Sequence, residues 1–339
     1  MPAEWTAHDA VWTAWPHDSD QWLEGLAAPQ RALMNMVAAI VDLDEAGQPR
    51  GERVELLVRD RDDEDAARVL LGPAVAGVRF RALAYGDIWL RDTGPIFLTA
   101  GREVSAARFQ FDGWGGKYLM PGDREVSRHV MDHAGVRGAA FDFVLEGGAV
   151  EVDGEGTVLT TRQCLLGGGR NPGLDQDALD ARLRWALGAD HVVWLDRGLL
   201  NDHTDGHIDT LARFVTSGVV TCMEAAADDP NREALDGILA DLRAAKSARG
   251  EKLEVVTVPS PGAVEDAAGN LMPASYMNFY LANSTVVVPT YGAASDDAAV
   301  SAIAAMFPGR RAVAVDCKPV VVGGGGFHCA TQQQPAPAR

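Results

Sequence analysis

Glu146-Gly-Gly-Ala-Val-Glu-Val-Asp-Gly-Glu-Gly-Thr-Val-Leu-Thr-Thr161 consists of two short apolar runs around a turn. Asp153-Gly-Glu-Gly156 supplies the turn residues, so Ala149 to Val152 and Thr157 to Thr161 are expected to pair as a hairpin. Downstream, Asp175 to Leu187 reads as a helix and His191 to Leu195 as a strand. The order is strand, strand, helix, strand, and it recurs on both sides. Upstream it runs Pro95 to Thr99, Glu103 to Phe109, Asp123 to Ala134 and Ala139 to Val144. Downstream, Ile208 to Val215 and Val219 to Met223 precede a helix capped by Asp229 with Pro230 in its first turn, then Leu253 to Val258. The last copy is Tyr276 to Ala282, Thr285 to Val288, a helix entered from Ser295, and Arg311 to Val315.

The N-terminal segment offers a helix at about Gln30 to Leu43, a strand at Val54 to Val58, a helix from Asp62 to Leu71 and a strand at Val78 to Leu83. A unit of this size cannot bury its own apolar face, so the repeat predicts a radial or stacked α/β assembly, with the N-terminal segment supplying the remaining unit. One domain over residues 1–339 is expected, its last few residues flexible. Asp92, Glu146 and His207 each stand just before the first strand of a unit, and Cys329 follows the last strand of the fourth. Equivalent positions in a radial repeat face a common axis. Four reactive side chains far apart in sequence are therefore expected in one cavity.

Hydrophobic residues at 47% and charged residues at 23% are those of an ordinary soluble globular chain. The formal charge of −18 disfavours nucleic acid as a partner and attracts small cations. Met1-Pro-Ala-Glu-Trp5 has none of the features of a signal peptide, and no apolar run approaches the ~20 residues of a membrane span. A cytoplasmic protein without a membrane contact is expected, with a homo-oligomer left open. Cys164, Cys222 and Cys317 lie in or beside apolar runs without C-x-x-C spacing and read as core thiols. Trp5, Trp12, Trp15 and Trp22 crowd the first stretch, where aromatic faces pack strands or receive cations.

Gly323-Gly-Gly-Gly-Phe-His-Cys329 is different. Four glycines in a row hold no helix or strand, and mark main chain that passes close to something. A thiol follows them, and a thiolate is the strongest nucleophile among the standard side chains near neutral pH. In Asp205-Gly-His-Ile-Asp209, His207 and Asp209 are two apart at a strand start and share a face. His203, His207 and Asp209 also suggest metal ligands, but Gly206 interrupts the helix that His-x-x-x-His spacing needs. Neither a metal nor a cofactor is expected. Phe111-Asp-Gly-Trp-Gly-Gly-Lys117 lacks the pattern of a phosphate loop. One thiol, one imidazole and several carboxylates suit a small cationic, planar substrate. A guanidinium presents a fixed fork of donors that two carboxylates such as Asp92 and Asp209 grip.

The runs Trp89-Leu-Arg-Asp-Thr-Gly-Pro95, Phe109 to Lys117, Leu145-Glu-Gly-Gly148, Arg170-Asn-Pro172, Thr204 to Asp209 and His328-Cys-Ala-Thr-Gln-Gln333 resemble agmatine deiminase, of the guanidine-modifying superfamily, in order along the whole chain. The resemblance implies a pseudo-fivefold α/β propeller and hydrolysis of agmatine to N-carbamoylputrescine and ammonia, a step toward putrescine, without a cofactor. It implies Cys329 as nucleophile, His207 as acid and base, Asp92 and Asp209 as guanidinium clamps, and Glu146 as their support. Trp89, Asp87, Asp202, His203 and Trp114 are the expected substrate-binding residues. One departure stands out, because the family's usual acid two residues before Asp205 is here His203. Alternatives are a deiminase of arginine, peptidyl arginine or another guanidine, a noncatalytic polyamine or guanidine binder, and a metal-dependent amidohydrolase.

Overall fold

The computed structural model describes residues 1–22, 24–167 and 169–337. Five sheets are present among the described residues. Four have three strands: Ile96–Ala100, Glu103–Gln110 and Gly138–Val144; Glu151–Val152, Thr157–Thr161 and His191–Leu195; Ala212–Thr216, Val219–Glu224 and Glu254–Pro259; Tyr280–Leu281, Thr285–Thr290 and Arg311–Asp316. In each, the first two strands are antiparallel and the second and third parallel. The fifth sheet joins distant parts of the chain, in the order Gln332–Pro335, His8–Ala14, Arg53–Val58, Val78–Ala82. It too begins with an antiparallel pair followed by parallel ones.

Parallel neighbours need a crossover, and a helix supplies it in each unit. These helices are Ala27–Val41 and Arg61–Leu71 in the N-terminal sheet, then Asp123–Ala134, Gln176–Leu187, Arg232–Ala244 and Asp296–Met306. Asp60 and Asp175 cap two of them by accepting from the Asp63 and Ala178 amides. Leu33, Met36, Val37 and Ile40 recur at helical spacing and are fully buried, each stabilising the core by roughly 1.5–3 kcal/mol. No helix among the described residues is long and apolar enough to cross a membrane.

Three expected strands begin later than the sequence reading placed them. Gly147–Ala149, Ile208–Thr210 and Tyr276–Asn278 are short helical turns, and the strands start at Glu151, Ala212 and Tyr280. Local hydrogen bonds account for this: the Ser275 hydroxyl accepts from Met277 N–H, and the Thr210 hydroxyl donates to the His207 carbonyl. Leu90–Thr93 forms the same kind of turn before Ile96. The helix expected to be capped by Asp229 starts at Arg232 with Asn231 as its cap. Asp229 instead accepts from Asn231 N–H and from the Ser260 hydroxyl. Near the C-terminus Gln332–Pro335 is a strand and Ala336 N–H bonds the Ala7 carbonyl at 2.8 Å. Residues 338 and 339 lie outside the described residues. Cys329 thus stands before an antiparallel strand, the position that Asp92, Glu146 and His207 hold in their own units.

Candidate active site

Each of these turns delivers a polar side chain to one place. Asp92 comes from Leu90–Thr93, Glu146 from the residue before Gly147–Ala149, His207 and Asp209 from Ile208–Thr210 and its entry, and Cys329 from the bend before Gln332. Asn278, from the turn Tyr276–Asn278, is the sixth, and the sequence reading missed it. Its amide donates to Cys329 Sγ at 3.1 Å and its carbonyl accepts from Cys329 N–H at 3.2 Å. The signal was available, since Asn278 precedes the first strand of the fourth unit as His207 does in the third.

Cys329 Sγ lies 3.4 Å from Asp209 Oδ2, and that same oxygen lies 2.8 Å from His328 Nδ1. Asp92 Oδ1 accepts from Gly148 N–H at 3.0 Å and Oδ2 from Trp114 Nε1 at 2.9 Å. His207 Nδ1 is 3.7 Å from Asp92 Oδ1. Glu146 Oε1 accepts from Arg170 Nε at 2.6 Å, and Arg170 also donates to Asp205 and to the Thr204 carbonyl. All these side chains but Asp205 are buried. Gly148 permits the convergence: a Cβ there would stand 2.6 Å from His207 Nδ1, 2.9 Å from Asp92 Oδ1 and 3.2 Å from Asp209 Oδ2.

Burial without enough partners sets the electrostatics. Asp92 is held well above the usual carboxylate range by burial, then by the Asp209 and Glu146 charges. Burial also raises Glu146, with Arg170 opposing it. Burial acts on Asp209 in the same direction, but its hydrogen bond and attraction to His328 outweigh it and leave the group below the usual range. His207 is pushed down to about 3 by burial and is neutral near pH 7. The Cys329 thiol is pushed well above its ordinary value by burial, Asp209 and Asp92. In the ligand-free site the acids and the burial therefore outweigh whatever favours the thiolate. Among the described residues, both His207 nitrogens, Asp209 Oδ1 and Glu146 Oε2 are buried without a hydrogen-bond partner.

A cavity of about 240 Å³ opens onto Cys329 and Asp92, walled by Trp89, Trp114, Tyr118 and the Gly323–Gly325 backbone. The glycines approach those walls as the sequence suggested. A Cβ on Gly323 would meet the Trp22 ring at 2.6 Å, on Gly325 the Trp89 ring at 2.8 Å, and on Gly326 the Asn278 carbonyl at 2.5 Å. Asp87 lines the cavity, bonds Trp89 Nε1 at 2.8 Å and Ile88 N–H at 2.7 Å, and is pushed up to about 7 by burial. His203 is exposed at the mouth, its ring 5.6 Å from that of Tyr118. Asp202, expected as a substrate contact, is not among this cavity's walls: its oxygens accept from the Thr204 amide and hydroxyl and the Gly206 amide of its own turn, and it lines the neighbouring recess with Tyr118 and His203.

Neither lysine nor arginine lines the cavity among the described residues. Arg91 bonds Gln333 and the His328 carbonyl, Lys117 bonds Asp205, Arg162 bonds Gln176 and the Trp194 carbonyl, and Arg213 bonds Glu4 and Glu151. His203, His207 and Asp209 are not brought together as one ligand set. Two triads with ligand atoms within 4.8 Å do occur, Glu146–Cys164–His207 and Glu4–Glu151–His328. Arg213 neutralises the second at 2.6 and 3.0 Å.

The family model of the Porphyromonas-type peptidyl-arginine deiminases matches residues 1–335. The agmatine deiminase of Ectopseudomonas mendocina is 34% identical over 368 residues, covering 99% of this chain and 95% of its own. The solved agmatine deiminase of Enterococcus faecalis superposes with a TM-score of 0.90 at 31% identity, over 100% of this chain and 96% of its own. A cysteine-to-serine variant of the C. jejuni agmatine deiminase with substrate bound gives a TM-score of 0.88 at 25% identity, over 100% and 96%. A match that runs from Met1 into the strand beyond Cys329, with relatives above 30% identity covered almost end to end, makes the chain a member of the Porphyromonas-type peptidyl-arginine deiminase family.

Proposed function

We propose that this protein hydrolyses agmatine to N-carbamoylputrescine and ammonia, with Cys329 as nucleophile. The observation that carries this reading is a thiol at the cavity beside Asp92, with Cys329 Sγ 3.4 Å from Asp209 Oδ2, and with Asp209 Oδ1 and the His207 nitrogens buried and without a hydrogen-bond partner among the described residues. A guanidinium brings five N–H donors in a fixed fork and one positive charge to these unpaired acceptors. Its arrival lowers the cost of ionising Asp92 and Cys329 together.

The thiol proton passes to His207, and the Cys329 sulfur adds to the guanidinium carbon while Asp92 and Asp209 hold the nitrogens. His207 gives that proton to the departing nitrogen, the C–N bond breaks, and ammonia leaves a thiouronium on Cys329. A water then loses its proton to His207 and adds to the same carbon. Breakage of the C–S bond returns the electron pair to sulfur, the added hydroxyl loses its proton as the ureido carbonyl forms, and His207 passes on the proton from water; one of these two protons restores the thiol and the other leaves with ammonia as ammonium. Asn278 N–H is placed to stabilise the thiolate at both its formation and its return.

Agmatine is favoured over arginine because, among the described residues, the cavity is lined by Asp20, Asp87 and Asp92 and by no lysine or arginine. At ~4 Å and an effective dielectric near 20, each like-charge pair formed by arginine's carboxylate costs roughly 4 kcal/mol before screening. Relatives named for agmatine at 34% and 31% identity support the same choice. We further read the five sheets and the joining of Gln332–Pro335 to His8–Ala14 as a single-domain, pseudo-fivefold α/β propeller with the cavity on its axis. Free thiols at all four cysteines fit a reducing, cytoplasmic setting. The test is kcat/KM for agmatine, arginine and a blocked arginine amide at one pH, with mass analysis of trapped Cys329. Arginine matching agmatine refutes the substrate, and wild-type-like ammonia release from Cys329→Ser refutes the mechanism. An improvement in agmatine turnover on His203→Asp marks His203 as a substitute for the family's acid.

A further inference from the structure

Behind Cys329 runs a line of ionisable groups that no step above uses. His328 is 1% exposed, with Nδ1 2.8 Å from Asp209 Oδ2 and Nε2 2.7 Å from Glu4 Oε2. Glu4 is fixed in turn, because Oε2 accepts from Arg213 at 2.6 Å and Oε1 from Leu281 N–H at 2.9 Å. Arg213 continues the line to Glu151 at 3.0 Å. An ionised carboxylate only accepts hydrogen bonds, so an imidazole with a carboxylate oxygen at each nitrogen is satisfied when both nitrogens carry protons. One oxygen of Asp209 is thereby occupied by His328, while Oδ1 has no partner. That asymmetry suits a clamp that must stay anionic and still have an oxygen free for a forked donor.

We propose that His328 is a positioning residue, an imidazolium pinned between Glu4 and Asp209 that keeps Asp209 ionised and turns its free Oδ1 toward the substrate guanidinium. It supplies a cation on the far side of Asp209 from the thiol, where Asp209 and Asp92 otherwise face Cys329 as carboxylates alone. Arg91, with its terminal nitrogen 4.0 Å from Glu4, and Arg213 face the same carboxylate from the other side and keep it ionised. The proposal rests on the deiminase reading for what Asp209 grips, but not for the state of His328.

Two experiments decide it. Nitrogen NMR of histidine-labelled Cys329→Ser protein at pH 7 is expected to show His328 protonated at both ring nitrogens, and a neutral ring overturns the proposal. Kinetics then test the consequence with His328→Gln, which removes the charge, and with Glu4→Gln. Without the cation Asp209 is protonated at higher pH, so the acid limb of kcat/KM for agmatine is expected to move up by at least one pH unit. At pH 7 kcat/KM falls at least 30-fold, more through KM than kcat, and partly recovers on raising the pH. Glu4→Gln moves the same limb in the same direction by less, and decides the matter if His328→Gln fails to fold. An unmoved limb, or a uniform fall in kcat at every pH with KM unchanged, overturns the positioning role. If the unmodified protein releases no ammonia from agmatine, the function reading fails instead, and the NMR result on His328 still stands.

Discussion

Gly148→Ala tests the convergence of the site with a single methyl group. The backbone there lies outside the left-handed region, so alanine is not excluded by conformation. The obstacle is space: the new Cβ would sit 2.6 Å from His207 Nδ1, about 0.8 Å inside the 3.4 Å of ordinary contact, and 2.9 Å from Asp92 Oδ1. Imidazole and carboxylate must both retreat, and the bond from Gly148 N–H to Asp92 at 3.0 Å distorts with them. Misplacement of reacting groups by about 1 Å costs on the order of 10²-fold in rate, so kcat/KM for ammonia release should fall about 100-fold, or about 2.7 kcal/mol. Overpacking costs roughly 1–3 kcal/mol of stability. For a chain of this length that is a Tm lower by roughly 1–4 °C, leaving the protein folded at the assay temperature. Gly237→Ala, where a Cβ meets nothing within 4 Å, is the control and should leave activity unchanged. A folded Gly148→Ala protein with kcat/KM within about threefold of wild type would refute this packing of the site.

Trp114→Phe removes the N–H that satisfies Asp92 Oδ2 and should lower kcat/KM by about 10- to 100-fold, with little loss if that bond does not form in solution. His207 is predicted to stay neutral by NMR down to about pH 3 in the free protein, and a midpoint near its ordinary value contradicts the burial argument. Because the unfolded chain binds that proton at higher pH than the folded one, stability from His207 is present above about pH 6.5 and is lost as the pH falls toward 3. Prolonged chelation is expected to leave the rate unchanged. Activity lost on chelation and restored by zinc or manganese would reassign Glu146, Cys164 and His207 as ligands.

The sheets were legible because each unit repeats one order of periodicities, and the helices Asp123–Ala134 and Gln176–Leu187 fall within a residue of where sequence placed them. The turns before the strands were less so. Ile208-Asp-Thr210 has strand composition, and only the contacts of its hydroxyl and neighbours make it helical. Site residues carried by unusual sequence, Cys329 after four glycines and His207 after Gly206, stood out. Asn278 sits in the ordinary run Tyr276-Met-Asn-Phe279, so its importance appears only when the repeats are aligned. Glu4 and His328 could not be paired from sequence at all, since 324 positions separate them. Asp202 shows why a role is hard to read from a carboxylate: one bonded to its own turn looks the same in sequence as one that faces a ligand.

That separation of Glu4 from His328 also orders events during synthesis. At about 5–20 residues per second a ribosome takes roughly 15–65 s to travel from one to the other. Throughout that interval Glu4 has no imidazole to face, the N-terminal sheet lacks its Gln332–Pro335 edge, and Cys329, the proposed nucleophile, has not been made. On the proposed chemistry the nascent chain is catalytically silent until Gln332–Pro335 joins its sheet, and the appearance of activity marks that closure.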